Sequence, residues 1–201
     1  MFSRNLVRFT LSISFFVSLL FTSLLFTSLI MISPVFATSQ LQESLQNNQF
    51  NFIKNQGQRN ENVAYYTRAL DGAVFVTKKG ELVYSLPKKT EHGTANWSFK
   101  ETFKSQKGLS IDQSNEKQFV SELPLGQLTS DIHVKLKSEK NNVEKLFYLS
   151  AGADVANIKV LLEGINGSHI NKLGQLVLET GLGPVTFTKP VAFQMQAIRK
   201  N

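Results

Sequence analysis

Glu101 is the residue whose type and position stand out chemically. It lies in the run Trp97-Ser98-Phe99-Lys100-Glu101-Thr102-Phe103, where strand spacing puts its carboxylate on the same side as Trp97, Phe99 and Phe103. A carboxylate in apolar surroundings loses solvation and holds its proton to higher pH, which is how a general acid is made. One carboxylate alone is half of such a device. Glycoside cleavage needs two, about 5 to 10 Å apart, and Glu163 or Glu179 could supply the second. Inward charges near sheet edges also guard against edge-to-edge pairing, and this reading of Glu101 outweighs the catalytic one.

The other candidates are weaker. His92, His133 and His169 stand far apart, none with a second histidine at metal-ligand spacing, and each reads as a surface or turn residue. No G-x-S-x-G elbow and no phosphate-binding glycine loop occurs. The stretch Asp112 to Glu116, DQSNE, has several oxygens but not the spacing of a calcium loop. Tyr65, Tyr66, Tyr84 and Trp97 could form a sugar-stacking platform. Core packing is the stronger reading, because adjacent Tyr65 and Tyr66 point to opposite sides of a strand. The motif Asn55-Gln56-Gly57-Gln58 reads as a turn in which the amides hold backbone, with Gly57 supplying a conformation other residues avoid. The sequence thus names no catalytic residue, metal site or cofactor, and leaves Asn55, Gln56, Gly57, Gln58, Tyr65, Trp97 and Glu101 as possible ligand or structural positions.

The segments that carry these residues differ sharply along the 201-residue chain. From Phe9 to Gln42 there is no charged residue, and Phe9 to Ser33 is mostly Leu, Phe and Ile with Ser and Thr. Arg4 and Arg8 precede this run and Val35-Phe36-Ala37 closes it, which is the pattern of a secretory signal peptide cleaved after Ala37. Its length approaches that of a membrane span, so an uncleaved anchor is the alternative for residues 1–37. Either way, Arg4 and Arg8 hold the N-terminus inside and place the remainder outside the cytoplasm. Residues 38–49 are a polar linker of Gln, Asn and Ser.

Residues 50–197 read as one domain, with 198–201 a tail. The chain contains no cysteine, so an exported domain must be held by its core alone, which the 164 residues after Ala37 suffice to build. Period-two runs dominate: VAYYTRAL, VFVTK and LVYSL form a meander with turns at Asp71-Gly72 and Lys79-Gly80, where glycine supplies positive φ. Ile132, Val134 and Leu136 alternate with His133, Lys135 and Lys137. Residues 105–118 form a polar loop, and Pro124 and Gly126 read as a break. Further strands are expected at 143–149, 158–162, 176–178, 185–187 and 191–195. Short strands, glycine turns and no helical pattern predict an all-β fold, an antiparallel sandwich preceded by an N-terminal hydrophobic export helix. The net charge of +7 falls to +5 without Arg4 and Arg8, and its lysines are scattered, a solvated surface and not a nucleic-acid footprint.

The segments FIKNQGQ, VAYYTRA, FVTKKGELVYSL, WSFKETF and SAGADVANIKVLLEGINGSHINKLGQLVLETGLGPVTFTKPVAFQ together resemble the domain of unknown function at the N-terminus of bacterial surface proteins with seven-bladed β-propeller (SBBP) repeats. The resemblance covers about residues 50 to 197. It rests most on Asn55 to Gln58, Gly152-Ala153-Asp154 with Ile158 and Gly164, and Pro190, Ala192 and Gln194. It implies export, a β-rich module and a supporting or recognition role on envelope proteins, and brings no catalytic residues. Ile132 to Leu149 lacks the Tyr-Gly element expected ahead of Gly152, and no propeller repeats follow, as in a truncated or free-standing copy.

The function expected is therefore an exported, non-enzymatic structural or interaction module of the cell envelope, periplasm or secreted fraction. Its partner would be protein or envelope glycan, its membrane contact only the N-terminal segment if uncleaved, and its last strand an edge open to self-association. A carbohydrate-binding module using Tyr and Trp faces is the alternative, and a glycan-active enzyme the third reading.

Overall fold

The computed structural model of the protein describes residues 4–9, 51–114 and 117–195. Of the export segment expected over residues 1–37, all but residues 4–9 lies outside the described residues, as do the cleavage position Ala37, the linker 38–49 and the tail 198–201. Among those described, no helix is long and apolar enough to cross a membrane. They form an all-β fold: fifteen strands in three antiparallel sheets, plus one 3-10 turn at Val155–Asn157. The strands are β1 (Arg4–Phe9), β2 (Phe52–Lys54), β3 (Val63–Ala69), β4 (Gly72–Thr77), β5 (Leu82–Thr90), β6 (Gly93–Phe103), β7 (Phe119–Val120), β8 (Glu122–Thr129), β9 (Ile132–Glu139), β10 (Asn142–Leu149), β11 (Val160–Glu163), β12 (Gly167–Ile170), β13 (Leu176–Glu179), β14 (Val185–Phe187) and β15 (Val191–Met195).

The seven-stranded sheet runs β11-β6-β5-β4-β3-β2-β7, the five-stranded sheet β15-β1-β10-β9-β8, and the small sheet β12-β13-β14. Consecutive strands dominate the pairing, because short loops favour hairpins. The meander expected over β3, β4 and β5 is present, but Gly72 plays a different part from the one expected. The positive φ angles fall on Leu70 and Asp71, at 59° and 58°. Gly72 is needed because a Cβ there would run into the Ser85 carbonyl and the Pro87 ring of β5. Gly80 does take positive φ, 73°, as expected.

Three further features differ from the sequence reading. β8 runs through Pro124 and Gly126, because the register against β9 shifts there and the two breakers sit at irregularities of the ladder. The β5–β6 hairpin is longer than expected and reaches Thr90 and Gly93. Beyond Ser85, β5 has lost β4 as a neighbour, so Pro87 needs no partner on that side. The third difference is β1. Residues Arg4 to Phe9, read as the positive start of a leader, form a strand between β10 and β15.

One core is shared by the sheets. Phe52, Tyr65, Val74, Val76, Leu82 and Tyr84 of the seven-stranded sheet meet Leu125, Ile132, Val134, Leu136, Phe147 and Leu149 of the five-stranded sheet, all buried. The small sheet adds Leu178, Val185 and Phe187. The alternation along β9 is as read from the sequence: Ile132, Val134, Leu136 and Ser138 are buried, while His133 and the lysines lie outward. β10 is buried from Val143 to Phe147 without alternation, the mark of a strand enclosed on both faces.

Candidate functional site

Glu101 is as deeply placed as its spacing suggests, with 2% of its surface exposed. β6 passes between β5 and β11 there, and Glu101 stands opposite Leu82 and Leu162. It is not the solitary carboxylate of the sequence reading. Lys145 of β10, 5% exposed, reaches across from the five-stranded sheet and donates to both carboxylate oxygens, 2.8 Å to Oε1 and 2.9 Å to Oε2. The Tyr84 hydroxyl donates to Oε2 at 2.8 Å. Nor is Glu101 at a rim: β11 covers β6, and the edge-guard reading gives way to a buried ion pair between two sheets.

Aromatic rings frame this triad. Tyr84 stacks on Phe99 with centroids 4.4 Å apart, and Phe187 stands edge-on to both. The Lys145 ammonium also lies 4.2 Å from the Phe187 ring centroid, a cation–π contact in a desolvated place. Burial, and then the adjacent Glu101 carboxylate, push the Tyr84 hydroxyl well above its ordinary value of 10.0, so it stays a neutral donor. The three side chains thus form a closed set: one cation, one anion and one neutral hydroxyl, each with its partners inside.

Above the triad lies a cavity of about 320 Å3, walled by Phe147, Ile158, Val160, Leu162, Leu176 and Phe187, with Ile170, Thr188 and Pro190 towards its mouth and Glu101 and Lys145 at its floor. Apolar side chains around it are exposed: Val160 and Ile170, the latter at 64%. β11, β12 and β15, whose residues or neighbours border this opening, are each the last strand of their sheet. The arrangement offers apolar contact over a charge-neutral floor. Among the described residues, Glu101 is the one carboxylate lining it. Glu163, considered as a second, lies on the other face of β11, where it holds Lys100 at 2.7 Å. Glu163 and Glu81 together keep the half-buried Lys100 ammonium above its usual pKa. Glu179 pairs with His169 at 3.5 Å on the small sheet.

The remaining sequence candidates have other work. The Asn55 side chain organises its loop: its amide donates to the carbonyls of Arg59, Asn60 and Val63, and its oxygen accepts from the Gly57 and Arg59 amides. Gln58 accepts from the Gln56 amide at 2.6 Å, and Gly57 has φ of 103°. Residues 56 to 58 are exposed, so the loop is available to solvent as well as self-held. Tyr65 and Tyr84 are in the core, and Tyr66 lies under the Arg59 guanidinium, 4.8 Å from its centroid. Trp97 donates from Nε1 to the Gly164 carbonyl at 2.8 Å and covers Gly181, where a Cβ would strike its ring. The aromatic residues considered for sugar stacking are thus spread over core, loop cover and turn contact. The Asp112 carboxylate accepts from the Ser114 amide, while 115 and 116 lie outside the described residues. Among the described residues no three of His, Cys, Asp and Glu converge as a metal site.

The residue that sequence reasoning missed is Lys145. Its signal was present: within Asn142–Leu149 it stands in register with Leu136, on the side that carries Val143, Phe147 and Leu149. An inward Lys on one strand and an inward Glu on another are each costly alone and compatible together.

Residues 112–201 match a family model described as a domain of unknown function, DUF7948. The match spans β7 to β15, and so includes Lys145 but neither Glu101 nor Tyr84. No curated protein and no solved structure matches the chain.

Proposed function

We propose that the chain is an exported, non-enzymatic interaction module of the bacterial cell envelope or secreted fraction, of the kind carried at the N-terminus of SBBP-type surface proteins. The observation that carries the interaction reading is the apolar cavity over the paired Glu101 and Lys145, bordered by exposed Val160 and Ile170. A reacting centre needs a group free to gain or lose a proton, and here the carboxylate, ammonium and hydroxyl are committed to one another. An apolar cavity of about 150 Å3 suffices for a benzene-sized guest, so this one has room for a bulky apolar side chain of a partner. Exposed apolar side chains around such an opening are the usual mark of a contact surface. Export is supported by the uncharged stretch from Phe9 to Gln42 behind Arg4 and Arg8.

The test is a photoreactive amino acid placed at Ile170 in the native host, with the same group at Lys137, on the outer side of β9, as control. A discrete envelope adduct at 170 that disappears with Val160→Lys, and none at 137, is the expected result. Equal adducts at both positions, or none at 170, would remove the cavity from the contact surface.

A further inference from the structure

β1 occupies a place that an exported chain cannot keep. It pairs antiparallel with β10, from Asn5 opposite Leu149 to Phe9 opposite Lys145, and antiparallel with β15, from Arg4 opposite Met195 to Arg8 opposite Val191. On the export reading proposed above, on which this inference rests, residues 4–9 either leave with the cleaved leader or stay on the inner side of the membrane as the start of an anchor. In both cases β1 is separated from the domain outside. The consequence for the five-stranded sheet is specific. β15 is bonded to β1 alone among the described strands, so it loses its place in the sheet. β10 becomes an edge, although Leu146 is buried on one side and Phe147 and Leu149 on the other. A strand buried on both faces is built for the interior of a sheet, and its open backbone groups are a template for another strand.

We propose that in the exported protein the position between β10 and β15 is a strand-accepting slot, filled by an extended segment of another polypeptide. The seated β1 defines what fits: at least five residues without proline, running antiparallel to both neighbours, with apolar residues opposite Phe147 and Tyr148 where Val7 and Leu6 now stand. Main-chain bonds on two sides supply most of the recognition, and the alternate positions set the register.

The slot can be emptied without processing. In the full-length chain purified in detergent, Leu6→Pro breaks β1, because proline cannot donate to a central ladder. The probe is a fluorescent peptide with the sequence of residues 3–10, SRNLVRFT. It should bind the variant saturably and at least ten-fold more tightly than the unaltered chain. Hydrogen exchange of the amides from Leu146 to Leu149 should speed up in the variant and slow again with peptide. Leu6→Gly with Val7→Gly weakens β1 without a steric break, and serves if the proline variant does not fold. Equal binding to all forms, or an open β10 in a folded variant that ignores the peptide, overturns the slot. A second copy is the occupant instead if the variant dimerises through β10 and the peptide does not dissolve the dimer. The export reading is checked separately by the intact mass of the protein from its native host, expected to begin at Thr38 or to be recovered whole in the membrane. A soluble full-length species would sink that reading and leave the peptide result standing.

Discussion

Replacing Lys145 by Met isolates what the buried pair does. The substitution keeps the length of the side chain but leaves the Glu101 carboxylate with the Tyr84 hydroxyl as its remaining donor in an apolar setting. Breaking a buried pair on one side typically costs about 3 to 5 kcal/mol. We therefore expect Lys145→Met to lose about 3 to 5 kcal/mol at pH 7. Adding Glu101→Gln should restore about 2 to 3 kcal/mol, because the uncompensated charge is gone. Urea unfolding of the four forms at pH 7 gives the cycle. A loss below about 1 kcal/mol for Lys145→Met, or a double variant no better than the single one, would show that water or other donors reach Glu101 and that the sheets are not tied by this pair.

The other expectations concern single residues. Tyr84→Phe removes one donor to Glu101 and should cost about 1 to 3 kcal/mol in urea unfolding at pH 7. Because the Tyr84 hydroxyl is raised in the folded state, its contribution is complete below pH 10 and is lost as the pH rises above it. The variant should therefore lose stability less steeply over that range in alkaline titration, by up to about 1.4 kcal/mol per pH unit. Gly72→Ala should destabilise by about 1 to 3 kcal/mol through contact with the Ser85 carbonyl, and thermal unfolding equal to the parent would refute the crowding. Phe99→Ala, which removes a ring stacked on Tyr84, should cost about 3 to 5 kcal/mol by the same assay. Val191 and Phe193 are exposed on β15, the last strand of its sheet, so light scattering should detect self-association that Phe193→Lys reduces.

What was legible in the sequence follows from period two. β3, β4, β5 and β9 each have a wet and a dry side whose alternation gave the strands, and the alternation of Phe99, Glu101 and Phe103 along β6 gave the inward placement of Glu101. Where alternation fails, so did the reading. β12, Gly167-Ser168-His169-Ile170, is an exposed edge with no apolar side to announce it. Pro124 and Gly126 looked like punctuation because a bulge and a chain break use the same residues. Gly72 was identified as special for the wrong reason: the crowding against β5 depends on a neighbour 13 positions away, not on the local turn. The Glu101–Lys145 pair was half visible. Each residue betrayed its side of the sheet, but which inward charge meets which is decided by the docking of sheets, and the separation of 44 residues carries no local signal.

The family match from 112 to 201 divides the chain at a place where the structure has no seam. β7 and β11 lie within the matched region, yet they are opposite edges of a sheet whose interior, β2 to β6, comes from residues before it. The small sheet is likewise anchored from outside, through Trp97 at Gly164 and Gly181 and through Phe187 against Tyr84 and Phe99. Lys145 would enter the solvent-free interior of an isolated 112–201 fragment with no anion to meet it. Homology and autonomy therefore have different boundaries in this protein. A gene fragment cut at the homology boundary would encode two edge strands without their sheet and a buried cation without its counterion, and a protease nick in the loop near residue 112 would leave two pieces that must remain together to remain folded.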